Sequence, residues 1–223
     1  MFFVVKSETG RASMLEFEKS GSETPQNIVV MLHGYGADGH DLMGLAPPLA
    51  PYIESPLFIC PHAPNLVAGM GPGREWFGLT QLQPEELDQG VKTAAPILRS
   101  FLTHLCKTYE KTFENVILIG FSQGTMMALE VGLRLPSKPK AIIGFSGALA
   151  GPDRLKTDQI VHPPVLLIHG SDDPVVPCQA SYLAQAALND ENIQCDLHVS
   201  DGYPHTIAPD GLVAAAEYLT SLR

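Results

Sequence analysis

Long apolar runs are absent from this chain of 223 residues. No stretch approaches the roughly twenty consecutive apolar residues that span a bilayer, so stable membrane insertion is not expected. Cations are scarce as well: 14 Lys and Arg stand against 24 Asp and Glu, for a formal net charge of −10. Such a surface repels phosphate backbones and argues against nucleic acid as a partner. Only 4 cysteines occur, Cys60, Cys106, Cys178 and Cys195, and no two stand in C-x-x-C spacing. Zinc ribbons and dithiol redox centres need that spacing, so the four read as buried or half-buried thiols of a reducing, cytoplasmic compartment. Linkers, repeats and low-complexity tracts are missing too. One domain over residues 1–223 is therefore expected, long enough to bury about 70% of its extended surface. The apolar opening Met1-Phe2-Phe3-Val4-Val5-Lys6 is too short for a signal peptide and lacks a basic flank, which makes it an expected strand.

What is present is alternation. After an antiparallel start (Phe2–Val5, then Met14–Glu18), strands are expected at about 28–32, 57–60, 115–119, 141–145, 165–168 and 194–199, with helical stretches between them. Continuous apolar runs such as Ile28-Val29-Val30-Met31-Leu32 and Val165-Leu166-Leu167-Ile168 suit strands buried on both faces. The pattern predicts an α/β protein with a mostly parallel sheet covered on both sides and no large cap domain. Glu85–Tyr109 carries Leu87, Val91, Ala94, Leu98, Leu102 and Leu105 at helical spacing, with Pro84 at the first turn. Pro96 within it is expected to kink or split that helix. A last helix follows Pro209, with Leu212, Ala215, Ala216, Leu219 and Leu222 on one face.

The chemistry is concentrated in Gly120-Phe121-Ser122-Gln123-Gly124, directly after the apolar run Val116-Ile117-Leu118-Ile119. Gly-x-Ser-x-Gly between a buried strand and a helix is the nucleophile elbow of α/β-hydrolases. The turn is too tight for side chains two residues before and after the serine. The helix from Gln123 to about Leu135 aims free N–H groups beside the hydroxyl.

A serine nucleophile needs a base and an orienting acid, which in this fold follow in the order Ser, Asp or Glu, His. Val165–Ile168 ends in His169-Gly170-Ser171-Asp172-Asp173-Pro174-Val175-Val176-Pro177, so two adjacent carboxylates stand past the carboxyl end of a parallel strand, where ligands bind. Cys195-Asp196-Leu197-His198-Val199 alternates as a strand, and His205 follows it in a loop. That position makes His205 the candidate base; the other seven histidines are expected to be structural, solvent-facing or loop-ordering. For the oxyanion hole, the backbone N–H groups of Gln123 and of Tyr35, in the glycine-rich segment His33-Gly34-Tyr35-Gly36-Ala37-Asp38-Gly39, are the candidates. The segment from Pro61 to Leu82 mixes Pro and Gly with Met70, Trp76, Phe77 and Leu79. It is expected to be a substrate-covering loop whose apolar side chains form an acyl-binding wall.

Taken together, these residues resemble the phospholipase/carboxylesterase family of small serine esterases, which includes the acyl-protein thioesterases. The resemblance runs from about Asn27 to Leu222. It rests on Leu32–Gly36, Arg74-Glu75-Trp76-Phe77, the Ser-Gln-Gly elbow, His169–Pro177 and His205-Thr206-Ile207. The sequence departs from the family pattern at Tyr35, where Leu is usual, at Gly78, where Asp often follows Trp-Phe, and at Pro204, where Gly commonly precedes the histidine. The resemblance implies that Asp173 rather than Asp172 is the acid. It also implies two-step acyl transfer from a small ester or acylated substrate to water, with no metal or organic cofactor, and it admits a homodimer.

Overall fold

A computed structural model describes residues 15–222; the strand expected over Phe2–Val5 lies outside them, as does Met14. Nine strands are found: β1 (Phe17–Gly21), β2 (Asn27–Leu32), β3 (Pro56–Pro61), β4 (Asn65–Leu66), β5 (Arg74–Glu75), β6 (Val116–Phe121), β7 (Ala141–Phe145), β8 (Val165–Gly170) and β9 (Cys195–Ser200). Among the described residues there are five α-helices, the last of which follows β9: α1 (Ala46–Leu49), α2 (Pro84–Thr108), α3 (Gln123–Gly132), α4 (Gln179–Asp190) and α5 (Pro209–Ser221). Seven strands form one sheet in the order β1-β3-β2-β6-β7-β8-β9. Only the edge pair β1–β3 is antiparallel; the other pairings are parallel.

The apolar runs are explained by what covers each face. Side chains alternate across a strand, so Ile28, Val30 and Leu32 join one core with α2, α3 and α4. Val29 and Met31 join a second core with α1 and α5 on the opposite face. β2 is buried at every position, and its one polar residue, Asn27 at the start, is satisfied by bonds to Glu54 O and Lys140 Nζ. Helix α3 is buried all round, as a central helix beneath a sheet crossover can be. Its one acidic residue, Glu130, is held by Arg134 at 3.0 Å and Arg154 at 2.7 Å, the pairing that a buried carboxylate requires.

Two expectations are corrected here. Helix α2 runs from Pro84 to Thr108 without a break at Pro96. Pro96 is exposed, so the carbonyl that loses its backbone donor can turn to water. The segment from Pro61 to Leu82 is not wholly irregular either. It holds the ribbon β4–β5, in which Asn65 pairs with Glu75 and Leu66 with Arg74.

Register sets the working edge. Leu32 aligns with Gly120, Phe121 with Phe145, and Gly170 with Ser200. The carboxyl ends of β2, β6, β7, β8 and β9 therefore open onto one side, the side where open α/β sheets bind ligands.

Candidate active site

Ser122 follows β6 directly and has φ 54° and ψ −116°. A serine rarely adopts positive φ, and such strain persists only where the surroundings enforce it. Here they do. The Ser122 N–H donates to Phe145 O at 2.8 Å, and Ser122 O accepts from Thr125 N at 3.0 Å. A Cβ at Gly120 would overlap Gly124 O and Thr125 N, and one at Gly124 would overlap the Leu32 carbonyl. The two motif glycines thus let β2, β6 and α3 close on one another.

The other two candidates meet across the sheet edge. Asp173 Oδ2 accepts from His205 Nδ1 at 2.7 Å, and Asp173 Oδ1 accepts from the N–H groups of Val175 and Val176 at 2.8 and 2.9 Å. Burial pushes the Asp173 carboxyl up, but the His205 bond, the two amides and the charge of His205 outweigh it, and its pKa lies below the ordinary aspartate value. Asp172 is exposed and accepts from the hydroxyl of Ser171 instead. The imidazole of His205 lies 4.9 Å, centroid to centroid, from the ring of Phe121, the neighbour of Ser122. With Nδ1–H committed to Asp173, Nε2 is left as the basic nitrogen. No hydrogen bond joins His205 to the Ser122 hydroxyl, a looseness common in unliganded sites.

A family model described as phospholipase/carboxylesterase matches residues 16–223. The chain belongs to the phospholipase/carboxylesterase family. It is 28% identical to acyl-protein thioesterase 1 of Gibberella zeae, over 95% of this chain and 96% of that protein. It is 25% identical to esterase YpfH of Escherichia coli, over 90% of this chain and 85% of that protein. A crystal structure of esterase PE8 is 40% identical, covers 95% of this chain and 100% of that one, and superposes with a TM-score of 0.91. This carboxylesterase-family chain has the α/β-hydrolase fold and is a serine hydrolase of carboxylic esters.

The oxyanion candidates of this family member are brought to the serine. A Cβ at Gly34 would stand 3.3 Å from Ser122 Cβ and 3.1 Å from the Phe121 ring, so the next residue, Tyr35, starts its turn beside Ser122. Gly36 N–H donates to Arg74 O and Arg74 N–H donates to Ala37 O, both at 2.8 Å, which lashes this turn to β5. The backbone N–H groups of Tyr35 and Gln123 have no hydrogen-bond partner among the described residues. Such uncommitted donors are what an oxyanion hole needs.

The acyl-wall expectation is corrected for two of its four residues. Trp76 is 1% exposed and Phe77 5%, so neither side chain offers a surface to a ligand. Trp76 is a brace: its Nε1–H donates to His33 O at 3.0 Å, and its backbone N–H donates to Gln123 Oε1 at 2.8 Å. Gln123 Nε2 in turn donates to Phe77 O at 2.7 Å. Phe77 packs against Gly90 of α2, where a Cβ would overlap its ring. Met70 stays exposed beside Gly36, and Leu79 is half-buried; these two remain open to an acyl chain.

Sequence reasoning missed the side-chain role of Gln123 and the place of His169. The imidazole of His169 lies beneath Asp173, with Nε2 3.1 Å from Asp173 Oδ2. The signal available was the repeated His-Gly at the ends of β2 and β8. Another histidine group, Glu18, His40 and His62, brings three ligand-type atoms within 4.8 Å of one another. Gly39 N–H donates to His62 Nδ1 at 3.1 Å, so the proton of neutral His62 sits on Nε2, the nitrogen a metal would need bare. The group closes as a clasp instead, with Glu18 Oε1 3.1 Å from His40 Nε2.

Proposed function

We propose that this protein is a carboxylesterase for short-to-medium acyl esters, working through Ser122, His205, Asp173 and an acyl-enzyme. The observation that carries the reading is the 2.7 Å bond from His205 to Asp173, at the same sheet edge as the strained elbow serine. Ser122 Oγ attacks the ester carbonyl as His205 Nε2 takes its proton. Asp173 holds the proton of His205 on Nδ1 and stabilises the imidazolium. The negative oxygen of the tetrahedral intermediate accepts from the N–H groups of Tyr35 and Gln123; one such donor lowers the barrier by on the order of 3 kcal/mol. His205 then protonates the departing alcohol, and water attacks the acyl-enzyme by the same route to release the acid and restore Ser122. Every proton has a place, and no metal or organic cofactor is called for.

A second reading, an acyl-protein thioesterase or lysophospholipase, shares this machinery. It is favoured by the likeness to acyl-protein thioesterase 1 of Gibberella zeae. A panel of p-nitrophenyl esters of rising chain length, run beside acyl-CoAs, decides between ester and thioester. Fluorophosphonate labelling of the wild type, lost in Ser122→Ala, tests the nucleophile; a fully active Ser122→Ala enzyme sinks both readings.

The reading takes residues 1–223 as one catalytic domain in a reducing, cytoplasmic setting. In its support, the four cysteines are free and burial pushes the Cys60 and Cys195 thiols up to about 12, so both stay protonated. No helix among the described residues is long and apolar enough to cross a membrane.

A further inference from the structure

Asp173 has a second histidine. His169 is the penultimate residue of β8, is 1% exposed, and uses both ring nitrogens. Its Nε2 lies 3.1 Å from Asp173 Oδ2 and 2.8 Å from Val176 O. A carbonyl and an ionised carboxylate can only accept, so the proton is on Nε2, shared between the two. Nδ1 is then bare and accepts the hydroxyl proton of Ser181, in α4, at 2.7 Å. One imidazole therefore carries a chain of bonds from α4 to the oxygen that accepts the Nδ1–H bond of His205.

We infer that His169 is a positioning residue for the triad acid: its Nε2–H fixes which way Asp173 Oδ2 points and shares that oxygen with His205. This inference rests on the triad reading above. The carboxylate has two free rotations about Cα–Cβ and Cβ–Cγ, and the amides of Val175 and Val176 hold Oδ1 only. The Nε2–H of His169 adds a restraint on the other oxygen, donating to Oδ2 at 3.1 Å, the same atom that His205 meets. Charge matters as well. An oxygen with two N–H donors holds each proton less strongly than an oxygen with one, because its negative charge is divided. Asp173 and Val176 O keep the His169 proton on Nε2, and the Ser181 hydroxyl, by donating to the bare Nδ1, holds the ring in the plane that this bond needs. Of the other ionisable groups near Asp173, Asp172 is exposed to water, and the thiol of Cys178 is raised by burial and by the Asp173 charge and so stays neutral.

The test compares His169→Leu, His169→Gln, Ser181→Ala and Asp173→Asn with the wild-type enzyme on p-nitrophenyl butyrate, over pH 5–9. Leu fills the space without a donor, whereas Gln can return an N–H near the position of Nε2. Losing one hydrogen bond to a charged group corresponds to a change on the order of 10- to 100-fold. His169→Leu is expected to lose about that factor in kcat with KM within twofold, and the acid limb of its kcat/KM profile should move to higher pH. His169→Gln should recover most of the loss, and Ser181→Ala should lose a few-fold. If His169→Leu keeps kcat within twofold while Asp173→Asn is crippled, the role of His169 is overturned and the triad stands. A loss in His169→Leu that Gln does not restore, with an unmoved acid limb and a lowered melting temperature, marks a purely structural histidine and also overturns it. An active Asp173→Asn enzyme removes the triad reading itself. Should His169→Leu fail to fold, Ser181→Ala decides in its place: full kcat and an unshifted acid limb in that variant would refute the positioning chain.

Discussion

The same dipeptide stands at the carboxyl end of two strands, His33-Gly34 just after β2 and His169-Gly170 as the last two residues of β8, and both histidines are buried. Their partners differ. His33 Nδ1–H donates to Gly34 O at 2.7 Å, and Nε2 accepts the N–H of Ala63 at 3.0 Å. Both partners are main chain, so His33 fixes the path of two loops and touches no reacting group. His169 bonds one carbonyl and two side chains, one of them the carboxylate that holds His205. The glycines serve alike: each lets another part of the chain approach, Phe121 and Ser122 at Gly34, and Tyr203 and Pro204 at Gly170. A buried histidine is therefore either a brace or a participant according to what its nitrogens meet, and the surrounding dipeptide does not tell which.

The comparison can be broken most directly at the β8 end. Asp173→Asn should lose about 10⁴ in kcat, as a triad with the wrong histidine tautomer does, while Asp172→Asn stays within a few-fold of the wild-type enzyme. Steady-state kinetics of both variants check this, and a reversed ranking would move the acid by one residue. The β2 end should answer in stability. Trp76→Ala removes a buried side chain bonded to His33 O and should cost about 3–5 kcal/mol in chemical denaturation. Its residual activity should fall by the same proportion on acetate, butyrate and octanoate esters; a loss that grew with chain length would restore Trp76 to the acyl wall. Met70→Ala is the contrasting case. Met70 is half-exposed beside Gly36, so each acyl methylene it covers should lose at most about 0.8 kcal/mol. That loss should be visible only as a tilt toward short esters.

The smallest expected effect separates the two ends by pH. Burial depresses the pKa of His33 below its ordinary value near 6.5. A lowered folded-state pKa means that the unfolded chain binds the proton first. The contribution of His33 is therefore present above about pH 6.5 and lost as pH falls through the folded value. Asp173 is also lowered, from an ordinary value near 3.8, so its contribution persists to about pH 4 and is lost only below. Melting temperatures should show a shallow fall between pH 7 and 5 that His33→Gln abolishes. A separate fall below pH 4 should remain in that variant.

The middle of the sheet was legible because its central strands are written as apolar runs, and β7 falls on residues 141–145 as expected; the edge strands β1 and β9 carry polar residues instead. The elbow was legible because its geometry demands glycine at 120 and 124. Trp76 was misread because an apolar side chain in a Pro- and Gly-rich segment looks the same whether it faces a ligand or the core. Only the bonds to His33 and Gln123, 43 and 47 residues away, tell the two apart. His169 was passed over for a related reason. Its link to Asp173 spans 4 residues of an irregular turn, and its link to Ser181 spans 12; no periodic pattern connects them. Pro96 broke no helix because its side of α2 faces water, and one proline carries no sign of its exposure.

The grip of Gln123 on the covering segment is made entirely to main-chain atoms, Trp76 N and Phe77 O. Such a grip is blind to side-chain identity. The exposed side chains ahead of that anchor, Leu66 and Met70, lie outside the grip, whereas Val67 is buried in the packing of the segment itself. The exposed tip of the segment and its anchorage are in this way separable. A lineage, or a designer, can vary Leu66 and Met70 without touching the bonds that tie Gln123 to Trp76 and Phe77.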